Sequence, residues 1–425
     1  MRAGVAKVCI TPPVGTWQGG YGARTQPCVG VHDDLFARAL VVEGDDGAAG
    51  GATRAAIVGV DIVGLTLEVA EAAKRRAEEM TGIPASRIAF CASHTHGGPV
   101  LRGFVGRDSG PQPDEEYARI LVKYLAGAVA AAARETRPVG VRLGRNQAGF
   151  NVNRRLRTAE GTVMRPNPEG VVDREVLVLR VDELQEGGTG RPSRPPLAVL
   201  FRYTCHATAM GAQNYLITGD YPGAAARTIE SAFGGQTTAL FLQGCAGNIR
   251  PNLTSAEGAF RSADWAELTR LGRQLAGASV AAAEQAAFAE APDSGVVGAA
   301  GKTVTLPYEA PPAEEERRID AGVPAEVQVF RLGGVWLVTL PGEVFVEIGW
   351  KTRDMAAKAA GVDPARVVVA AYANGSVGYV PTAAAIPEGG YEVTAYRHSG
   401  RPSGYAPEAE DILAGTAAEL AASLR

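Results

Sequence analysis

The chain reads as short apolar runs that stop on polar residues, interleaved with longer segments whose apolar positions recur every three to four residues. The run 55–64 (AAIVGVDIVG) is β-leaning and ends in Asp61 and Gly64, and Leu67 to Met80 then keeps a helical period until Thr81-Gly82 stops it. A second β run, Arg87 to Ser93, passes directly into His94-Thr95-His96-Gly97-Gly98-Pro99. The pattern predicts strand, helix, strand, with a polar cluster at the carboxyl end of a strand, where open α/β sheets place their ligand crevice.

The alternation continues. Helices are expected over Glu115 to Glu135, Pro222 to Phe233 and Ala263 to Ala287, and strands over Val139 to Arg145, Val176 to Val181, Leu197 to Thr204 and Ala239 to Leu242. The strand ending at Thr204 again meets a histidine, His206. Val327 to Leu340 reads as a hairpin turning at Gly333-Gly334 and leading to Pro341-Gly342-Glu343. A strand over Arg366 to Tyr372 enters the loop Asn374 to Tyr379, and a last helix covers Glu410 to Leu424. The Gly/Pro-rich stretch 187–196 has strands on both flanks and is expected to be a surface loop. With no break in the pattern, residues 1–425 are expected to form a single large α/β domain, a mixed β-sheet flanked by helices, its site at strand ends.

Composition narrows the functional classes. The chain has 42 Lys+Arg against 46 Asp+Glu, a formal charge of −4, so it lacks the basic surplus of a nucleic-acid binder. The longest apolar run, Tyr124 to Ala133, is about half the roughly 20 residues that cross a bilayer. The first residues show no apolar leader. A cytoplasmic protein with no integral membrane segment is therefore expected. The five cysteines form no Cys-x-x-Cys pair, which disfavours a disulfide scaffold or a thiolate zinc finger.

Histidine is scarce: His32, His94, His96, His206 and His398. Were His94 and His96 to continue their strand, alternation would turn both to one side, as suits a metal held by imidazole nitrogens or a hydrogen-bonded structural pair. Cys205 and His206 would point to opposite faces, which disfavours a thiol nucleophile. His32-Asp33-Asp34 reads as a turn or a buried structural pair.

Ser93-His94-Thr95-His96-Gly97-Gly98-Pro99 resembles the THTHSGP signature of the neutral/alkaline (non-lysosomal) ceramidase family. Gly4 to Gly15, His32 to Ala39, Asn153-Arg154-Arg155, Gly244 to Leu253, Leu340 to Glu343, Gly378-Tyr379-Val380 and Tyr391-Glu392 resemble further segments of that family in the same order. The resemblance implies a catalytic zinc (Zn2+) held by His94, His206, Glu343 and Tyr379. It implies proton transfer by His96, and Arg154 and Tyr391 steadying the substrate carbonyl. It also implies a catalytic domain without the family's C-terminal β-sandwich. The expected activity is hydrolysis of an amide, or an ester, of an acylated metabolite by a zinc-activated water. Acyl transfer at the same zinc, or a non-catalytic ligand-binding homologue, remain the alternatives. The family has a serine where this chain has Arg250, in Gly247-Asn248-Ile249-Arg250-Pro251-Asn252. A forked, permanent cation there is expected to bind substrate and favour a polar or anionic small molecule.

Overall fold

Along Phe36–Asp45 and Ala52–Val60, strand alternation sorts apolar side chains to both faces of a sheet: Ala37, Ala39, Val41, Ala56 and Val58 on one, Leu40, Val42, Ala55 and Ile57 on the other. Both faces must therefore be covered. The computed structural model, which describes residues 1–45, 51–103, 110–184, 195–287, 295–310 and 321–425, shows how. Helices Leu67–Thr81 and Glu115–Arg134 cover the first face through Ala70, Ala73, Leu121 and Leu125. Against the second lies another sheet, which contributes Val297, Phe330, Leu337 and Val368 to the shared core. Helices Val346–Ala360 and Ala409–Ser423 cover the outer face of that second sheet. The result is a mixed α/β fold with helices outside and two sheets inside.

The larger sheet has eight strands, in the order Thr238–Gln243, Ala198–Tyr203, Glu175–Glu183, Arg137–Gln147, Arg2–Cys9, Phe36–Asp45, Ala52–Val60 and Ile88–Ala92. The smaller has Val297–Pro307, Gly322–Leu332, Val335–Thr339 and Val367–Ala370. Helices Asp220–Ala232 and Trp265–Ala286 pack on Val178, Val199, Phe201 and Phe241 of the larger one. The large sheet curls until strand Thr238–Gln243 lies over Gly59, where a Cβ would stand 3.0 Å from the Phe241 carbonyl oxygen, a tight contact that a glycine relieves. Within these two sheets, three pairs are parallel: Ala52–Val60 with Ile88–Ala92, Ala198–Tyr203 with Thr238–Gln243, and Val335–Thr339 with Val367–Ala370. The site is built where strands of these pairs end.

The expected helices and strands are present with bounds shifted by a residue or a few. Helix Leu67–Thr81 ends as its sequence requires, on Gly82 at φ 71°. Among the elements that escape the sequence pattern are strands Arg2–Cys9 and Phe36–Asp45, paired in register from Arg2↔Glu43 to Cys9↔Phe36; strand Val297–Pro307; the hairpin Asn151–Thr158 with Gly161–Asn167; and helix Val346–Ala360. That helix buries Gly349, Ala356, Ala357 and Ala360, small residues whose hydropathy marks the buried stripe weakly. Residues 187–194 of the expected surface loop lie outside the described residues, but the strands on its flanks are antiparallel neighbours.

Candidate metal centre

His94 lies two residues past the last strand residue, Ala92, and its backbone adopts φ 62°, a left-handed conformation uncommon for a residue with a side chain. His94 and His96 therefore converge through a backbone turn, and strand alternation, the sequence-based reason for their meeting, does not apply. Their Nε2 atoms are 3.1 Å apart. His206 follows strand Ala198–Tyr203, Glu343 follows Val335–Thr339, and Tyr379 follows Val367–Ala370 in the loop after it. Glu343 and Tyr379 sit opposite each other in a short parallel pair, Glu343–Val344 with Tyr379–Val380.

The tautomers of two histidines follow from their partners. His94 Nδ1 is 2.6 Å from the carbonyl oxygen of Val63, and His206 Nδ1 is 2.6 Å from that of Ala246 and 3.1 Å from that of Ile249. A carbonyl only accepts, so each Nδ1 carries the proton and each Nε2 presents a lone pair. Both lone pairs face the same carboxylate oxygen, Glu343 Oε2, at 3.4 Å from His94 and 3.0 Å from His206. The Tyr379 hydroxyl lies 3.4 Å from His206 Nε2. Burial, aided by the positive Arg154, pushes His206 down to about 4, so its ring stays neutral at ordinary pH.

Lone pairs converging with no proton between them repel one another unless a cation lies among them, so this donor set fits a metal ion. Two imidazole nitrogens, a carboxylate and a phenol suit zinc. The ring nitrogens of His94, His96 and His206 lie within 4.8 Å of one another. His96 differs from the other two: its Nδ1 is buried without a partner, so no carbonyl fixes its ring from behind. Gly20, at φ 85°, is packed against it; a Cβ there would fall 2.2 Å from His96 Nδ1. Burial and the neighbouring imidazoles push His96 well below its ordinary value.

Arg154 is buried. Its Nε donates to Glu392 Oε1 at 2.7 Å, its Nη2 donates to the Gly247 carbonyl at 2.7 Å, and the guanidinium lies 5.3 Å from the centre of the Tyr379 ring. Glu392 bridges on to Arg155 at 2.8 Å. Thus Arg154 is not a surface charge: it is paired with Glu392 beside Tyr379. Tyr391 sits with its ring 5.6 Å from that of Tyr379 and is 43% exposed, on the solvent side of the cluster. Burial keeps the Tyr379 phenol well above its ordinary value against the opposing pull of Arg154.

Several neighbours were not legible in the sequence. Tyr21 meets His96 edge-on at 4.7 Å and Tyr372 lies 4.4 Å from the ring of His94. Arg24 is buried and donates to the His96 carbonyl at 2.8 Å. Asp33 of the His32-Asp33-Asp34 motif bonds Thr218, Gly219 and Arg227, and the exposed His32 stacks on Trp265, so the motif braces the loop beside His96 from the surface and is not a buried pair. The Cys205 thiol lies 3.7 Å from the carbonyl oxygen of His206 and is pushed well up by burial, which leaves it inert.

With this geometry established, the relatives of the chain can be placed. A family model described as neutral/alkaline non-lysosomal ceramidase, N-terminal, matches residues 1–268, more than half of the chain. The chain belongs to the neutral/alkaline non-lysosomal ceramidase family. The neutral ceramidase of Drosophila pseudoobscura pseudoobscura is 27% identical over 281 residues, 59% of this chain and 36% of that protein. The match thus spans about a third of that relative's length. The neutral ceramidase of Pseudomonas aeruginosa has the same fold, with TM-score 0.79 at 21% identity over 100% of this chain and 74% of that one. A ceramidase structure complexed with C2 gives 0.79 at 20% identity, covering 100% and 75%. The family match includes His94, His96, Arg154, His206 and Arg250, while Glu343, Tyr379 and Tyr391 join the cluster from beyond it.

Proposed function

We propose that this protein is a zinc-dependent hydrolase that cleaves the amide bond of an acylated small molecule, with His94, His206, Glu343 and Tyr379 as the zinc ligands. The observation that carries this reading is the pair of carbonyl-anchored histidines whose Nε2 lone pairs meet on one oxygen of Glu343. Membership of a ceramidase family supports an amide as the bond. Zinc bound there would supply Lewis acidity, polarising a carbonyl and lowering the pKa of water from about 16 to about 7.

The chain's own residues do the rest. Hydrolysis breaks the acyl C–N bond, joins a water oxygen to the acyl carbon and carries a proton from that water to the departing nitrogen. His96, neutral and without a partner on Nδ1, is suited to accept the proton and return it. Arg154 and Tyr391 flank Tyr379 as donors for the carbonyl oxygen as it gains charge, and one aimed donor of this kind is worth about 3 kcal/mol of barrier. Glu392 and the Gly247 carbonyl hold Arg154 in place, so it need not reorganise during reaction.

The test is metal content together with turnover. The purified protein should hold about one zinc per chain and hydrolyse N-acyl compounds, and His94→Ala and His206→Ala should lose both properties. Full zinc content in both variants, or no zinc in the parent, would remove the reading.

A further inference from the structure

Two arginines beside His96 lack a carboxylate partner among the described residues. Arg24 is buried; its Nη1 and Nη2 donate to the carbonyl oxygens of Gly19, His96 and Asn214, while its Nε, like that of Arg250, is enclosed with no acceptor. Arg250, on the short strand Ile249–Pro251, is half-buried; its guanidinium stacks over the ring of Phe260 at 4.1 Å and its Nε is enclosed with no acceptor. A buried N–H without an acceptor is costly to keep, and a guanidinium without a counter-ion more so. The carboxylate closest in role, Asp220, is occupied by the backbone N–H groups of Ala209, Met210 and Tyr221. Arg154, on the other flank, is neutralised by Glu392.

Arg250 is also near the reacting centre. The residue before it, Ile249, accepts from His206 Nδ1 at 3.1 Å through its carbonyl. Burial raises the phenol of Tyr21, whose ring meets His96 edge-on at 4.7 Å, and the charge of Arg250 opposes that rise. Arg250 thus stands one residue from a carbonyl that holds a histidine of the cluster, stacked on Phe260 and with its Nε lacking an acceptor.

We propose that Arg250 forms an anion subsite beside His96, so that the preferred substrates are acylated amines whose amine portion carries a sulfonate, carboxylate or phosphate. This rests on the hydrolase reading above for turnover, but not for binding. A planar guanidinium backed by an aromatic ring grips two oxygens of such a group at once, which a neutral hydroxyl does not allow.

The experiment compares N-decanoyltaurine with N-decanoylethanolamine, which share the acyl chain and differ in ending on a sulfonate or a hydroxyl. A sulfonate is a poor zinc ligand, so it reports on Arg250 and not on the metal. Both kcat/KM and Kd are measured for the parent, Arg250→Ser and Arg250→Lys, with Kd also measured after chelation. Matched melting curves confirm folding. The parent should favour the taurine conjugate by about tenfold or more, Arg250→Ser should bring the ratio near one, and Arg250→Lys should fall between them. An equal ratio in parent and Arg250→Ser, or no preference in the parent, overturns the subsite while any turnover keeps the hydrolase reading. Preferential binding that is lost in Arg250→Ser, with neither compound hydrolysed, supports the subsite and overturns the hydrolase.

Discussion

Three histidines with nearly the same surroundings are separated in role by single hydrogen bonds. His94 and His206 each give their Nδ1 proton to a backbone carbonyl, which fixes both the ring and the lone pair; His96 has no such anchor and instead rests against Gly20. His96→Ala should therefore keep its zinc and lose about 10² to 10⁴ in kcat, whereas His94→Ala should lose the metal. Gly20→Ala should mimic His96→Ala, since the added methyl displaces that ring. Zinc analysis beside steady-state kinetics checks this, and metal loss in His96→Ala would make His96 a ligand. Glu392 presents a second case. It is 4% exposed and bonds both Arg154 and Arg155, so Glu392→Gln should cost about 1–3 kcal/mol of stability and lower kcat/KM as Arg154 loosens. An unchanged melting temperature and rate would show that the Gly247 carbonyl alone positions Arg154.

At the scale of elements, the site depends on turns in backbone conformations that side chains disfavour. His94, Asp220, Tyr372 and Asn374 all have positive φ, and all follow strand ends or open a helix close to the cluster. Asp220 begins helix Asp220–Ala232 and ties it to the segment that follows His206, by accepting from the N–H groups of Ala209 and Met210. Burial pushes its carboxyl up to about 6 despite those bonds. Between about pH 4 and 6 the folded protein then holds a proton that the unfolded chain has released, so this group's contribution to stability falls as pH rises through that window. Asp220→Asn cannot titrate and should lack that slope. Melting temperatures of parent and variant from pH 4 to 7 decide it; parallel curves would mean that Asp220 is charged throughout in both states.

At the scale of the whole molecule, the four proposed ligands come from both sheets: His94 and His206 from the eight-stranded one, Glu343 and Tyr379 from loops of the four-stranded one. A metal held by all four would cross-link the two layers. Chelation should lower the melting temperature of the parent, because a ligand that binds only the folded state contributes about 2.7 kcal/mol at 100 times its Kd. His206→Ala should melt at the same temperature with or without chelator. Equal melting of chelated and zinc-loaded parent would show that the metal adds nothing to the joining of the sheets. Among the described residues, no helix is long and apolar enough to cross a membrane.

The sequence by itself determined the alternation of strands and helices, the Gly82 stop, the hairpin at Gly333-Gly334 and the residue types that end the strands. These follow from periodicity and turn chemistry, which act over a few neighbours. It also carried the family, through motifs spread along the chain. The tertiary structure alone decided that the sheets are two, since a strand apolar on both faces, such as Phe36–Asp45, demands cover without saying what provides it. It decided that His94 meets His96 through a left-handed turn, that Glu392 locks Arg154, and that Tyr21, Arg24 and Tyr372 surround the histidines. Apart from His94 with His96, those contacts join residues tens to hundreds of positions apart, and no local pattern encodes a partner that the fold brings from another strand.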